Sequence, residues 1–192
     1  MPTASPGRRR RADAERSIAR IVGAARECLS GNSNASIDDI ARHAGVGRMT
    51  LYGHFPNRAA LVEAALSDAL RAGDEVLSAI DLTGDARDAL ARLLEPSWSL
   101  VAESMALLAA AEGTLPAGRI REMHSAPAQR LEELIRRGQD EGVFRTDMPI
   151  AWLVGVIQYV LHGAAEEIRA DRLAQEDAPK VVTETVRSIL TR

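Results

Sequence analysis

The side chains with the greatest chemical reactivity are few and scattered along the chain. The sequence has one cysteine, Cys28, and four histidines, and no two histidines have the spacing of a paired metal site. A single cysteine excludes an internal disulfide and any site built from several cysteines. No glycine-rich nucleotide-binding motif occurs, and no nucleophile stands with a recognisable acid–base partner. We therefore expect no metal, no cofactor and no enzymatic activity.

The distribution of charge points to a polyanion as the partner of one part of the chain. Residues 1–60 contain 10 Arg and 5 Asp or Glu, a net charge of +5. Residues 61–192 contain 14 Lys or Arg and 22 Asp or Glu, a net charge of −8. Such asymmetry is typical of a protein that meets nucleic acid with one part only. We expect the amino-terminal third to hold the binding surface.

The prolines and the periodicity of the apolar residues predict an all-α protein of about nine helices. Proline is poorly tolerated inside helices, so the long intervals between prolines indicate helical segments. Residues 1–12, which include Arg8–Arg11, are predicted to be a disordered basic arm. Gly142 is predicted to stop a helix and Asp147 to start the next one. The predicted helices cover about 13–30, a short segment after Ser36, 47–53, 57–80, 85–111 with a kink at Pro96, 117–124, 126–141, 149–170 and 179–190.

The stretch that begins at Ser36 has the pattern of a helix-turn-helix. Ser36 can cap a short helix, and Asp39, three residues later, can complete a capping box. Gly45 can adopt the positive φ of a tight turn between this helix and the next. Leu51 and Phe55 are expected to be buried beneath the second helix. In such a motif the second helix can enter the major groove of DNA.

A family resemblance lies in residues 45–58, which read Gly-Val-x-x-x-Thr-Leu-Tyr-x-His-Phe-Pro-Asn-Arg. This run, after a capped Ile-Asp-Asp-Ile-Ala helix, resembles the DNA-binding domain of the TetR family of transcriptional regulators over roughly residues 13–66. The resemblance implies a three-helix DNA-binding domain over 13–58 and a helical effector-binding and dimerisation domain over 59–192. Gly47 and Gly53 depart from the family pattern, which more often has a Ser or Thr cap and a larger side chain there.

The resemblance also implies which residues contact DNA. Arg48 is the candidate for a guanine contact, because its guanidinium fork matches the O6 and N7 acceptors, and Met49 can touch a thymine methyl. Tyr52 and His54 are expected to hydrogen-bond phosphates that flank the groove. Arg58 and Ser36 are expected to bind phosphates at the starts of the fourth and second helices. The arm Arg8–Arg11 either reaches a minor groove or is a solvated tail. The complete implied set is Ser36, Gly47, Arg48, Met49, Thr50, Tyr52, His54 and Arg58.

The remaining 59–192 segment is acidic and contains a long uncharged run, Met148–Ala165. Its 18 residues are at the lower limit for a membrane span, but Pro149, Gln158 and His162 argue against one. A helix covered on one face by its own domain and on the other by a second subunit explains the run better. The family resemblance implies such a homodimer through the last two long helices.

The resemblance also implies a cavity for an unidentified small-molecule effector, between the DNA-binding domain and the subunit interface. Aromatic, Met and His side chains are the candidates for its lining, although each can equally be plain core. The sequence thus predicts a cytoplasmic, homodimeric repressor that a small molecule releases from a palindromic operator. A transcriptional activator and a DNA-binding protein without an effector remain alternatives. The candidate lining residues are Trp98, Met105, Met123, Phe144, Trp152, Tyr159 and His162.

Overall fold

The structure, a computed structural model, describes residues 6–191, with side chains from residue 11 onward. Over these residues the chain forms nine α-helices and no strand, which confirms the predicted all-α architecture. None of the helices in this range combines the length and the hydropathy needed to cross a bilayer. The helices are α1 (Pro6–Gly31), α2 (Ile37–His43), α3 (Arg48–His54), α4 (Arg58–Ser78), α5 (Ala86–Glu112), α6 (Ala117–Met123), α7 (Ser125–Asp140), α8 (Ile150–Arg169) and α9 (Ala178–Leu190).

The largest difference from the predicted helix boundaries is at the amino end. Helix α1 begins at Pro6 and not near Asp13, so residues 6–12 are helical and the prediction of disorder for them is wrong. Proline is favoured in the first turn because it has no N–H to leave unpaired, and arginine is a good helix former. Residues 1–5 of the predicted arm lie outside the described residues.

By packing, the chain divides into two compact units. Unit one consists of the residues up to Ala69 together with Ala106–Ile120, and unit two consists of Leu70–Met105 and the residues from Arg121 onward. Helices α4 and α5 therefore contribute residues to both units. The predicted domains divide the chain by function and not by packing, so the predicted boundary at residue 58 stays a prediction.

The core of unit one is built from one apolar face of each contributing helix. Leu51 of α3 is fully buried and Phe55 is 8% exposed, as predicted from the helix-turn-helix pattern. Small residues of α5, Ala110 and Ala111, are buried in the same unit. The burial of Leu51 and Phe55 holds α3, a helix of only two turns, which is too short to be stable by itself in water. The large fully buried side chains of unit one are Ile21, Leu29, Ile40, Leu51, Leu61, Leu66 and Leu107.

The core of unit two is almost entirely apolar. Ser97 is the one buried polar side chain among the described residues, and its hydroxyl donates to the carbonyl oxygen of Leu93 at 2.6 Å. The uncharged run lies mostly in α8, and one face of this helix is buried in the core. Trp152 and Tyr159 on the same helix are 61% and 79% exposed. The large fully buried side chains are Leu90, Leu94, Ile135, Leu153 and Ile157.

A close contact between α7 and the loop that follows it fixes the position of Phe144. Gly142 has a φ of +71° directly after the C-cap of α7, which confirms the predicted helix stop. The chain then turns back, and the N–H groups of Val143 and Phe144 donate to the Gly138 carbonyl oxygen at 2.9 and 3.0 Å. The Phe144 ring covers Gly138, where a Cβ atom would lie 2.1 Å from its Cδ2 atom.

The loop between α7 and α8 corrects the other predicted boundary. Helix α8 begins at Ile150 after Pro149, so the prediction that Asp147 starts this helix is wrong. The Asp147 carboxylate instead accepts hydrogen bonds from the guanidinium of Arg145 at 2.8 and 2.9 Å. A proline with a fixed φ is already a suitable residue for the approach to a helix, so no acidic cap is needed.

We expect Gly138→Ala to destabilise the protein by about 1–3 kcal/mol, because the Phe144 ring must move to admit the methyl group. Urea-induced unfolding followed by circular dichroism measures the change. Gly73→Ala on α4 is the matched control, since its Cβ would lie 3.8 Å from Leu100 Cδ1, an ordinary contact. That control should be neutral or more stable by up to about 1 kcal/mol. A Gly138→Ala midpoint equal to that of the wild type would contradict this packing.

Candidate nucleic-acid interface

Helix α2 begins with a complete capping box. The N–H of Asp39 donates to Ser36 Oγ at 3.1 Å, and the N–H and hydroxyl of Ser36 both donate to Asp39 Oδ2, at 3.3 and 2.5 Å. The predicted capping box is therefore confirmed. The Ser36 hydroxyl, the Arg42 guanidinium and the Ser36 N–H together lower the pKa of Asp39.

The capping box changes what the start of α2 offers to DNA. The Ser36 hydroxyl is hydrogen-bonded to a carboxylate, and Asp38 places a second carboxylate in the same turn. A phosphate that approached Ser36 would meet like charge at a helix end that normally attracts anions. Contact of Ser36 with a phosphate stays a prediction, and it has to displace the Asp39 interaction.

The turn after α2 has the geometry that the sequence predicts. Gly45 has a φ of +64°, and its N–H donates to the Arg42 carbonyl oxygen at 3.1 Å. The N–H of Val46 then donates to the Ala41 carbonyl oxygen at 3.0 Å. Gly47, the N-cap of α3, has extended backbone angles that any residue can adopt. Gly47 therefore leaves α3 without a side-chain cap, although the turn does not require glycine at this position.

Helix α3 has one buried face and one exposed face. Leu51 is fully buried, whereas Met49 is 82% exposed and Arg48 and Thr50 are also exposed. An exposed apolar side chain as large as Met49 has no packing role in this chain, and it is available to contact a partner. The exposed residues are the ones from which base contacts are expected, and contact with DNA stays a prediction for each of them.

Arg48 is held between α2 and α3 on this exposed surface. Its Nη1 atom lies 2.8 Å from Asp38 Oδ2, and its guanidinium carbon lies 5.5 Å from the centre of the Tyr52 ring, within cation–π range. The hydrogen bond with Tyr52 and the charge of Asp38 raise the pKa of Arg48. Sequence reasoning missed Asp38, because the pair is ten residues apart and no local pattern links the two helices.

Two further candidates, Tyr52 and His54, are half-buried. The Tyr52 ring packs beneath the Arg48 guanidinium. His54 is the last residue of α3, directly before the extended C-cap residue Phe55. Phosphate contacts of Tyr52 and His54 stay predictions.

Arg58 has a structural contact that the sequence did not indicate. Its Nη1 donates to the Ala35 carbonyl oxygen and its Nη2 to the Ser33 carbonyl oxygen, the latter at 2.8 Å. The guanidinium at the start of α4 thereby ties down the loop before α2. The acceptors are backbone atoms of a loop, and these leave no signature in the sequence. The predicted phosphate contact of Arg58 must share the side chain with this role.

The seven candidate effector residues all lie in unit two, but they do not form one group. Trp98 and Phe144 are buried, at 9% and 4% exposure, and Phe144 packs on Gly138. Met105, Met123 and His162 are half-buried. Trp152 and Tyr159 lie on the exposed face of α8. The structure thus places some candidates in the core and others at the surface, and their contact with an effector stays a prediction.

Comparison with known proteins finds a family model that matches part of the amino-terminal segment, and solved structures of similar fold. Residues 21–65 match the family model of the bacterial regulatory proteins of the tetR family. This segment contains α2, α3 and the start of α4, and it therefore covers the exposed surface described above. No curated protein matches the chain.

Solved structures of similar fold extend over nearly the whole chain. A TetR-family transcriptional regulator from Agrobacterium tumefaciens is 18% identical, with a TM-score of 0.74, over 93% of this chain and 100% of its own. LfrR from Mycobacterium smegmatis, in complex with proflavine, is 21% identical, with a TM-score of 0.73, over 93% and 98%. FadR from Bacillus subtilis, in complex with stearoyl-CoA, is 19% identical, with a TM-score of 0.71, over 90% and 96%. At these identities the similarity establishes the fold.

We expect Arg58→Ala to lower the free energy of unfolding by about 1–2 kcal/mol, because two hydrogen bonds from a charged group to backbone carbonyls are lost. Arg58→Lys keeps the charge but cannot reproduce the forked contact, so its loss should be similar. Thermal unfolding measures stability, and titration of a fluorescent duplex measures DNA affinity. A Lys variant that matched the wild type in both, with an Ala variant weakened only toward DNA, would favour the phosphate role over the structural one.

Proposed function

We propose that the chain is a DNA-binding transcription regulator of the TetR family, and that it is a homodimeric repressor that a small molecule releases from a palindromic operator. The observation that carries the proposal is the exposed face of α3, Arg48-Met49-Thr50, on a helix-turn-helix whose opposite face is buried. A regulator of this kind acts where the chromosome is, so we propose a cytoplasmic location.

In the proposed complex, α3 lies in the major groove. Arg48 donates to a guanine, Met49 packs on a thymine methyl and Thr50 reads an adjacent base edge. Contacts at the edges of the surface bind phosphates and set the register on the duplex. The open backbone at Gly47 allows close approach to the sugar-phosphate chain. The flanking phosphate contacts are assigned to Ser36, Tyr52, His54 and Arg58.

The outer face of α8 and α9 supports a subunit contact. Trp152 and Tyr159 are seven residues apart, hence on the same side of α8, and Val181 of α9 is 44% exposed. Helices α8 and α9 pack against each other, and large exposed apolar side chains are typical of a protein–protein contact. In a twofold dimer the two recognition helices would reach successive major grooves, about 34–36 Å apart, which calls for a palindromic operator.

A small-molecule effector is proposed for unit two. The relatives from M. smegmatis and B. subtilis are each in complex with a small molecule, proflavine and stearoyl-CoA. The buried and half-buried candidates Trp98, Met105, Met123, Phe144 and His162 are the proposed contacts. Trp152 and Tyr159, which were part of the predicted set, fit the proposed subunit contact better because they are exposed.

Release from DNA is proposed to involve α4, which contributes residues to both units. A ligand that prefers one conformation of the dimer shifts the population toward it, by no more than its difference in affinity for the two states. If the preferred conformation has the wrong spacing of recognition helices, operator affinity falls. An activator, or a regulator without a small-molecule effector, would share the DNA contacts and differ in this step.

Selection from a random duplex library with the full chain should enrich two inverted half-sites whose centres are about 10–10.5 base pairs apart, or a multiple of that distance. Arg48→Ala should weaken binding to the selected site by about 1–3 kcal/mol and relax the preference at one base pair per half-site. Arg71→Ala, in unit two, is the control for the loss of one arginine. A sequence-independent enrichment would refute the proposed readout.

The same selected duplex tests release. Its affinity is measured with and without proflavine and stearoyl-CoA, together with direct binding of each compound to the protein. A compound that binds the protein should lower operator affinity in proportion to its concentration above its dissociation constant. Equal operator affinities in the presence of a bound compound would exclude that compound as a releasing effector.

We expect Trp152→Asp combined with Tyr159→Asp to yield a folded monomer, because a buried unpaired carboxylate strongly disfavours an apolar contact. Sedimentation equilibrium measures the mass and circular dichroism the helix content. Val76→Asp, which alters another exposed apolar side chain at 47% exposure, is the control and should leave the mass unchanged. A dimer in the double variant would place the subunit contact elsewhere.

A further inference from the structure

We propose that Asp38 is a specificity-determining residue of the DNA-binding surface, which holds Arg48 in an ion pair and thereby lowers affinity for DNA of arbitrary sequence. The inference rests on the proposed function, in which α3 is the recognition helix. It concerns a residue outside the recognition helix and outside the set implied by the family resemblance.

The ion pair lies on the exposed surface of the helix-turn-helix. Asp38 is the second residue of α2 and Arg48 the first residue of α3, and the turn at Gly45 brings them together. The Asp38 Oδ2 and Arg48 Nη1 atoms are 2.8 Å apart, and the two side chains are 53% and 60% exposed. Both partners therefore remain within reach of a bound duplex.

The fold does not need the Asp38 carboxylate for the capping of α2. Asp39 provides the capping box through its hydrogen bonds with Ser36, and Asp39 also pairs with Arg42 at 2.9 Å. The described hydrogen bond of the Asp38 side chain goes to Arg48. On its other side the Arg48 guanidinium lies over the Tyr52 ring. Asp38 and Tyr52 thus fix the recognition side chain from two directions before DNA is present.

The ion pair affects phosphates and base edges differently. Non-specific binding comes from cationic side chains that neutralise phosphates and release counterions. An Arg48 already paired with Asp38 contributes no net charge to this process. The acceptors of guanine are neutral, and a guanidinium has five N–H donors, of which the Asp38 contact uses one nitrogen. Arg48 can therefore keep the pair while it binds a base edge.

The orientation of Arg48 adds to this discrimination. A guanidinium held in place loses less conformational freedom when it binds than a free one does. That advantage applies only to acceptors that lie where the held guanidinium points. The two effects act in the same direction, and both favour a matching base over a phosphate at an arbitrary position.

The test uses Asp38→Asn in the full chain, which removes the charge and preserves the shape. Affinity for a duplex of scrambled sequence should rise roughly two- to fivefold, the range expected for an exposed ion pair. The slope of log affinity against log salt concentration should steepen by up to about 1, because one more arginine is free to neutralise a phosphate. Affinity for the selected duplex should change less, so that the ratio of specific to non-specific affinity falls.

A matched control separates this effect from a change in net charge. Glu75→Gln also removes one carboxylate and also breaks an exposed pair with an arginine, Arg71, but in unit two. It should leave the specificity ratio and the salt slope unchanged. If Asp38→Asn unfolds the protein, Asp38→Ser provides the same comparison. A Glu75→Gln variant that behaved like Asp38→Asn would overturn the inference in favour of a general charge effect.

The Arg48→Ala background decides whether Asp38 acts through Arg48. In that background, Asp38→Asn should no longer change the salt slope. If Asp38→Asn kept its full effect without Arg48, the carboxylate would repel DNA directly, and this result would overturn the proposed pairing role. If the wild type prefers the selected duplex and Asp38→Asn leaves both ratio and slope unaltered, the inference fails while the proposed function stands. A wild type without any preference would overturn both.

Discussion

The burial of Leu51 is the constraint on which the proposed DNA-binding surface depends. Helix α3 has two turns, and a helix of this length has little stability in isolation. Leu51 is fully enclosed in unit one, whereas Arg48, Met49 and Thr50 directly before it are exposed. The positive φ of Gly45 sets the direction of α3, and the Arg58 guanidinium fixes the loop before α2. The proposed recognition surface is thus positioned by core packing and backbone contacts, while its exposed side chains, including the paired Arg48, remain within reach of a ligand.

Features that depend on residues close together in sequence could be predicted. The capping box joins Ser36 and Asp39, three residues apart, and the turn needs only the backbone freedom of Gly45, so both are readable from the chain. The helical periodicity of the apolar residues likewise predicted about nine helices, and most predicted boundaries lie within a few residues of the observed ones. The exception is at Pro6, where proline suits the first turn of a helix but the basic composition was wrongly interpreted as disorder.

Features that depend on distant partners could not be predicted. Arg58 resembles a phosphate ligand in the sequence, but its guanidinium meets carbonyl oxygens of Ser33 and Ala35, which every residue type possesses. The ion pair of Arg48 with Asp38 likewise depends on the packing of α2 against α3, which the sequence does not indicate. In unit two, aromatic residues were grouped as one set of pocket candidates, although Phe144 is a core residue and Trp152 a surface residue. Residue type alone does not distinguish these environments, because an aromatic ring packs equally well in a core, a pocket or a subunit contact.

The acidic residues on this basic segment suggest how stability and recognition coexist on one small surface. A carboxylate in the first turn of α2 stabilises the helix through its dipole and its free N–H groups, but the same position disfavours a phosphate. In this chain the two acidic residues of that turn have separate partners, since Asp39 bonds to Ser36 and Arg42 while Asp38 bonds to Arg48. Each carboxylate is thereby compensated by an arginine within unit one. The surface keeps its hydrogen-bond donors while its excess positive charge is reduced locally, and a surface of this kind discriminates by geometry more than by charge.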